Sequence, residues 1–184
     1  MHWQQGHTSG GDVGAGRLAS PESIVAAIDA VLSVGDRAGR HDLAGTHVVV
    51  SAGGTREPID AVRVIANRSS GKQGYAIAAE AAARGAKVTL VSTVDLAVPA
   101  GATVRQVETA AQMQAALTEL APSADVIVMA AAVADFRPVA AATGKIKKDQ
   151  GVPQIVLEPT PDILAGLGAP KPAGQVLVGF AAET

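Results

Sequence analysis

The stretch GGTREPIDAVRVIANRSSGKQG, from Gly53 to Gly74, decides how this chain is read. Before it stands an apolar run, HVVVS at 47–51, and after it an alanine-rich run, YAIAAEAAAR at 75–84. A strand-like run that empties into small residues and then into a helix is how α/β folds build an anion site. Glycines let the backbone approach a phosphate, and free amides at a helix start point toward it. Three later segments fit the same pattern: AAAVADF at 130–136, GKIKK at 144–148 and GFAAET at 179–184. Together they point to a nucleotide enzyme.

Composition narrows the choice. Apolar residues make up 48% of the 184-residue chain but aromatics only 2%, so the core must be Ala, Val, Leu and Ile. Such interiors are expected where helices pack closely on a mostly parallel sheet. The formal charge of −2 gives no general pull toward nucleic acid; positive charge is local, at Lys145, Lys147 and Lys148. The absence of cysteine removes disulfides, thiol nucleophiles and cysteine metal sites. His2, His7, His41 and His47 show no metal-ligand spacing, and the metal ligands stay unknown. No stretch is apolar enough to span a membrane, and the first residues lack the build of a signal peptide. A cytoplasmic protein with neither a membrane nor a nucleic-acid partner is expected.

Along the chain, residues 1–16 read as a disordered Gly-rich tail. Ser20-Pro21-Glu22-Ser23 then caps a helix whose apolar positions are Ile24, Ala27, Ile28, Val31 and Leu32, ending near Gly35. A polar linker leads into the main domain, giving a division into 1–42 and 43–184. In the main domain strands are predicted at 47–51, 87–92, 104–108, 126–130, 154–157 and 176–180. Helices are predicted at 72–84, 110–121 and 162–167. The alternation implies an α/β fold: a doubly wound, mostly parallel, Rossmann-like sheet with helices on both faces. Ligands in such sheets bind beyond the carboxyl ends of the strands, where all the informative segments fall. The chain stops directly after the last predicted strand, which suggests a fragment.

Familiar nucleotide signatures fail. Ala52-Gly53-Gly54-Thr55-Arg56 does not fit G-x-G-x-x-G, and Gly71-Lys72 is followed by Gln73 where a Walker loop needs Ser or Thr. The only tyrosine, Tyr75, has Ala79 four residues on, not the lysine of a short-chain dehydrogenase. A Rossmann-type oxidoreductase is thereby disfavoured.

What remains, over 46–184, resembles the phosphopantothenate–cysteine ligase family. The shared elements are Gly53-Gly54-Thr55 with Pro58, Asn67-Arg68-Ser69-Ser70-Gly71-Lys72 with Gly74, and Ala131-Ala132-Val133-Ala134-Asp135. Lys145-Ile146-Lys147-Lys148, Pro161-Asp162-Ile163 and Gly179-Phe180-Ala181-Ala182-Glu183-Thr184 complete them. GDVGAGRLASPE, starting at Gly11, also looks like the end of the flavin-dependent decarboxylase that precedes this ligase in bacterial bifunctional proteins. FMN would belong to that missing domain alone.

The resemblance implies that CTP activates the carboxylate of 4′-phosphopantothenate as an acyl-cytidylate, which the amine of cysteine then attacks, in coenzyme A synthesis. Mg²⁺ would share the triphosphate charge with Lys145, which as bare sequence is also a solvated loop lysine. Asn67 matches the asparagine that processes the acyl-cytidylate; alone, it also reads as a turn former. Gly53, Ser69, Gly71 and Gly74 would cradle phosphate, or simply serve strand-to-helix capping. Arg63 would hold the substrate's phosphate or carboxylate, or lie exposed. Asp135 matches a nucleotide-binding aspartate, and Asp162, Ile163, Leu164 and Ala165 a second nucleotide contact through amides at a helix start. Phe180 would sit near the base or in the core. The family also implies a homodimer. The alternative is a non-catalytic nucleotide-binding fragment in which the same loops only hold a ligand.

Overall fold

The computed structural model describes residues 4–7, 13–17 and 41–181, and the chain divides into two units, Met1–Arg40 and His41–Thr184. In the first unit β1 (Gln4–His7) pairs antiparallel with β2 (Val13–Arg17). At residues 4–7 and 13–16 this differs from the expectation of a tail without structure over 1–16. The helix expected from Ser20 to Gly35 lies outside the described residues, as do the last three of GFAAET.

In the second unit, β3 (His47–Ala52) is the middle of a five-stranded parallel sheet. Beside it on one side run β6 (Lys87–Ser92) and β7 (Ala102–Gln106), and on the other β8 (Val126–Met129) and β11 (Val176–Gly179). The register matches Val48 with Val88 and Val49 with Ile127. The continuous burial of β3 is what a strand covered on both faces requires. Its side chains alternate: Val48, Val50 and Ala52 meet α1 (Lys72–Ala83), whereas Val49 packs with Met113 and Leu117 of α2 (Ala110–Leu120) and with Ile163 and Leu167 of α3 (Ile163–Gly168).

Local chemistry sets the ends of the elements. Helix α1 is alanine-rich and buries Gly74, Tyr75, Ala78 and Ala81 on one stripe, then stops at Arg84 before the left-handed Gly85. Helix α2 starts in a capping box: the Thr109 hydroxyl accepts from Gln112 N, and the Gln112 side chain accepts from Thr109 N. This explains why the strand expected at 104–108 runs instead from 102 to 106. Gly101 ends the preceding turn with a positive φ, and the cap of α2 claims residues 108 and 109.

Two hairpin-like ribbons stand apart from the main sheet: β4 (Arg56–Pro58) with β5 (Val64–Ala66), and β9 (Phe136–Pro138) with β10 (Leu157–Pro159). The strand expected at 154–157 is therefore not a member of the parallel sheet. Its register is Leu157–Pro159 against β9, antiparallel. Among the described residues no helix is long and apolar enough to cross a membrane.

Candidate functional site

From β3 the chain winds outward to β6 and β7, then returns through α2 to β8 on the far side of β3. The crevice between the carboxyl ends of β3 and β8 is thus the topological switch point, where open α/β sheets receive ligands. The loops after these strands are stitched together. Ala132 N donates to Gly53 O at 2.8 Å and Thr55 N to Ala132 O at 3.2 Å. The fully buried Thr55 hydroxyl accepts from Ala134 N at 2.9 Å. On the outer side Thr160 N donates to Asp135 O, and the Thr160 hydroxyl donates to Ala134 O at 2.5 Å. Every one of these bonds satisfies a backbone group that irregular chain would otherwise leave unpaired.

Above this floor lies a cleft of about 960 Å³. Asn67, Ser69, Asp135, Asp162, Ile163, Leu164 and Phe180 all line it, so four segments far apart in sequence converge. Asn67 reaches across, its Nδ2 donating to Val133 O at 2.9 Å. One of its two amide protons is thereby used, and the residue itself is exposed at the cleft. Asp135 is exposed beside the floor, and Phe180 is 53% exposed, a face on which a base can stack.

Other expected residues lie elsewhere. Gly53, Gly71 and Gly74 are buried outside the lining, and packing accounts for each. A Cβ at Gly74 would stand 2.7 Å from both Ala52 Cβ and Ser51 O, so glycine is what lets α1 lie against β3. Gly53 and Gly71 both have positive φ and both press on the residues that follow β6. Ala165 is also outside the lining, and its amide is not open to a ligand. It donates to the Asp162 carboxylate at 2.9 Å in an N-cap.

Lys145 and Arg63 do not share the cleft with Asn67. They line a separate hollow of about 670 Å³ with Ile146, Lys147 and Lys148. The Arg63 guanidinium is taken up there, donating from Nη2 to Ile146 O at 2.6 Å and pairing with Asp60 Oδ2 at 3.0 Å. Burial opposes a charge on Asp60, but amide donors from Val62, Ile146 and Arg63, with the Arg63 guanidinium, hold its carboxyl below the ordinary value.

Among the cleft residues not named as site candidates are the polar side chains Arg68, Gln73 and Thr160. Arg68 directly follows Asn67, so its place in the motif could have pointed to it. Gln73 sits in the first turn of α1 and Thr160 just beyond β10, and neither has a chemical signature by itself. His47, which had no ligand spacing, is a satisfied core residue. Its ring nitrogens meet Ser123 O at 2.9 Å and the Thr89 hydroxyl at 3.0 Å. Among the described residues no group of three acidic or histidine side chains could hold a metal.

A doubly wound parallel sheet with its cleft at the switch point defines a Rossmann-like α/β domain. More narrowly, residues 43–184 match the model of the DNA/pantothenate metabolism flavoprotein C-terminal domain, and the chain belongs to that family. It is 52% identical over 187 residues to the coenzyme A biosynthesis bifunctional protein CoaBC of Mycobacterium tuberculosis (strain H37Rv), covering 97% of this chain and 44% of that protein. The Bacillus subtilis CoaBC is 43% identical, with 98% and 44% covered. The chain therefore spans less than half the length of these relatives. The crystal structure of the C-terminal domain of a CoaBC superposes with a TM-score of 0.68 at 44% identity, over 78% of this chain and 67% of that one.

Proposed function

We propose that this domain serves the CTP-dependent ligation of 4′-phosphopantothenate to cysteine, giving 4′-phosphopantothenoylcysteine in coenzyme A biosynthesis. The observation that carries the proposal is the convergence of Asn67, Ser69, Asp135, residues 162–164 and Phe180 on one cleft at the switch point. Similarity to bifunctional coenzyme A biosynthesis proteins supports the choice of substrates.

In the first step a carboxylate oxygen of phosphopantothenate attacks the α-phosphorus of CTP. The bond to the β-phosphate oxygen breaks and pyrophosphate leaves. In the second, the cysteine amine attacks the acyl carbon, the acyl–oxygen bond to the cytidylate breaks, CMP leaves and the amine loses a proton. As negative charge builds on the acyl oxygen, the unused N–H of Asn67 donates to it, an oxyanion-type stabilisation. Phe180 receives the base, Ser69 the phosphates, and Asp135 with the start of α3 the rest of the nucleotide. Mg²⁺ would share the triphosphate charge, and such an ion generally needs only one or two protein carboxylates besides the nucleotide phosphates. Asp135, exposed at the cleft, is a carboxylate that would fit that need. The triphosphate charge is assigned to Lys145 on its exposed loop, and a share of substrate binding to Arg63 in the same hollow. Gly53, Gly71 and Gly74 act by shaping the loop between β3 and α1.

The same proposal includes a cytoplasmic homodimer, with FMN confined to a flavin-dependent decarboxylase domain of the parent protein. Exposed apolar side chains on the ribbon and its loop, Phe136, Val139, Val152, Val156 and Leu157, support an interface. The test is incubation with CTP, Mg²⁺ and 4′-phosphopantothenate. Pyrophosphate release that depends on phosphopantothenate is expected. Tight CTP binding with no release would reduce the domain to a nucleotide holder.

A further inference from the structure

The turn joining β4 to β5 is closed by one side chain. Asp60 Oδ1 accepts from Val62 N at 2.9 Å and Arg63 N at 2.8 Å, an Asx-type turn. Its other oxygen, Oδ2, accepts from Ile146 N at 3.1 Å, a residue 86 positions away. The Arg63 guanidinium bridges the same two groups, bonding Ile146 O and Asp60 Oδ2. Both backbone polar groups of Ile146 are thus held by the hairpin, and Ala142 N adds a bond to Ile59 O at 3.0 Å. The Asp60 side chain is fully buried, although Lys145 and Lys147, which flank its partner Ile146, lie on an exposed loop. A buried carboxylate with four donors around it forms strong charge-assisted bonds.

We propose that Asp60 is a positioning residue: it fastens the lysine loop, through Ile146, to the hairpin whose second strand runs directly into Asn67. The lysine hollow and the cleft are then carried by one element, and the Asp60 carboxylate is the buried anchor among the few ties that set the place of Lys145 relative to Asn67. The fastening stands on geometry alone; its consequence for CTP rests on the ligase proposal.

Asp60→Asn tests it selectively. The amide oxygen can keep the two turn bonds, but an NH₂ group now confronts the Ile146 N–H and the Arg63 guanidinium. Limited trypsinolysis of the full chain should cut at Lys145, Lys147 and Lys148 about tenfold faster than in wild type, with cleavage outside this loop unchanged, because a charge-assisted bond has gone. In calorimetric titration with CTP and Mg²⁺, Asp60→Asn should weaken binding about as much as Lys145→Gln. The double variant should be no worse than either single one, as for residues acting through one contact. Unchanged loop cleavage in a folded variant, or faster cleavage spread over the whole chain, overturns the assignment, as do additive losses in affinity. Should Asp60→Asn fail to fold, Ile146→Pro removes the loop's donor and leaves the hairpin intact. Cleavage at Lys147 and Lys148 must then rise as well, or the assignment falls. If wild type binds no CTP, the ligase proposal fails, and the cleavage experiment still decides the fastening.

Discussion

In the cleft, two backbone bonds and a buried hydroxyl join the loop after β3 to the loop after β8. In the lysine hollow, by contrast, the segment 139–156 is exposed at every described side chain except Ile146, and it meets the hairpin at Ala142 and Ile146. Residues named together by one sequence resemblance therefore live in two physical settings. One is a surface whose two loops are held to each other by backbone bonds and a buried hydroxyl. The other is a loop whose useful geometry depends on a few polar ties.

Four experiments would break or sharpen this contrast. The largest effect is expected on chemistry at the rigid side: Asn67→Ala should leave pyrophosphate formation intact and slow amide formation by about 10²–10³. Equal loss of both steps would remove Asn67 from the second one. Next comes packing beneath the cleft. Gly74→Ala forces a methyl to within 2.7 Å of Ser51 O and Ala52 Cβ, and should cost about 2–3 kcal/mol in urea unfolding. A neutral result there would mean that α1 rides more loosely on β3 than its contacts indicate. Thr55→Val deletes the acceptor of Ala134 N and leaves a buried donor unpaired, for a loss of about 1–2 kcal/mol measured the same way. Smallest of all is Gly144→Ala on the lysine loop, where nothing lies within 4 Å of the added carbon. Its unfolding free energy should stay within ~0.5 kcal/mol of wild type; a shift approaching that of Gly74→Ala would erase the distinction between the two regions.

How far the fold could be read in advance follows from the same physics. The buried run at β3, the valine-rich β6 and the alanine-rich α1 have strong periodic signals, and they fall where the sequence puts them. The hairpin β4–β5 escaped because three-residue strands, one of them ending in Pro58, carry no measurable alternation. Val156 and Leu157 are β-formers, but Pro153 and Pro159 flank them and keep the run out of a central sheet position. For the site, local residue types gave several readings each, and the resemblance selected among them. Asn67, Ser69, Asp135, Asp162, Ile163, Leu164 and Phe180 do converge. Lys145 and Arg63 do not: they meet each other in the separate hollow, where the loop bearing Lys145 is tied to the β4–β5 turn bearing Arg63, and such a tertiary tie leaves no spacing signature. Thr160 and Gln73 were illegible for a related reason: their importance comes only from where the backbone carries them.

The stitch between Thr55, Ala132 and Ala134 has a kinetic corollary. Loop amides ordinarily trade hydrogen for deuterium within the first moments of exposure to heavy water, since few of them are shielded. Here Thr55 N, Ala132 N and Ala134 N should form a slow-exchanging island at the mouth of the sheet, with protection close to that of β3 itself. A surface so firmly woven offers the same base to every visiting molecule, which leaves discrimination between ligands to the side chains around its edge.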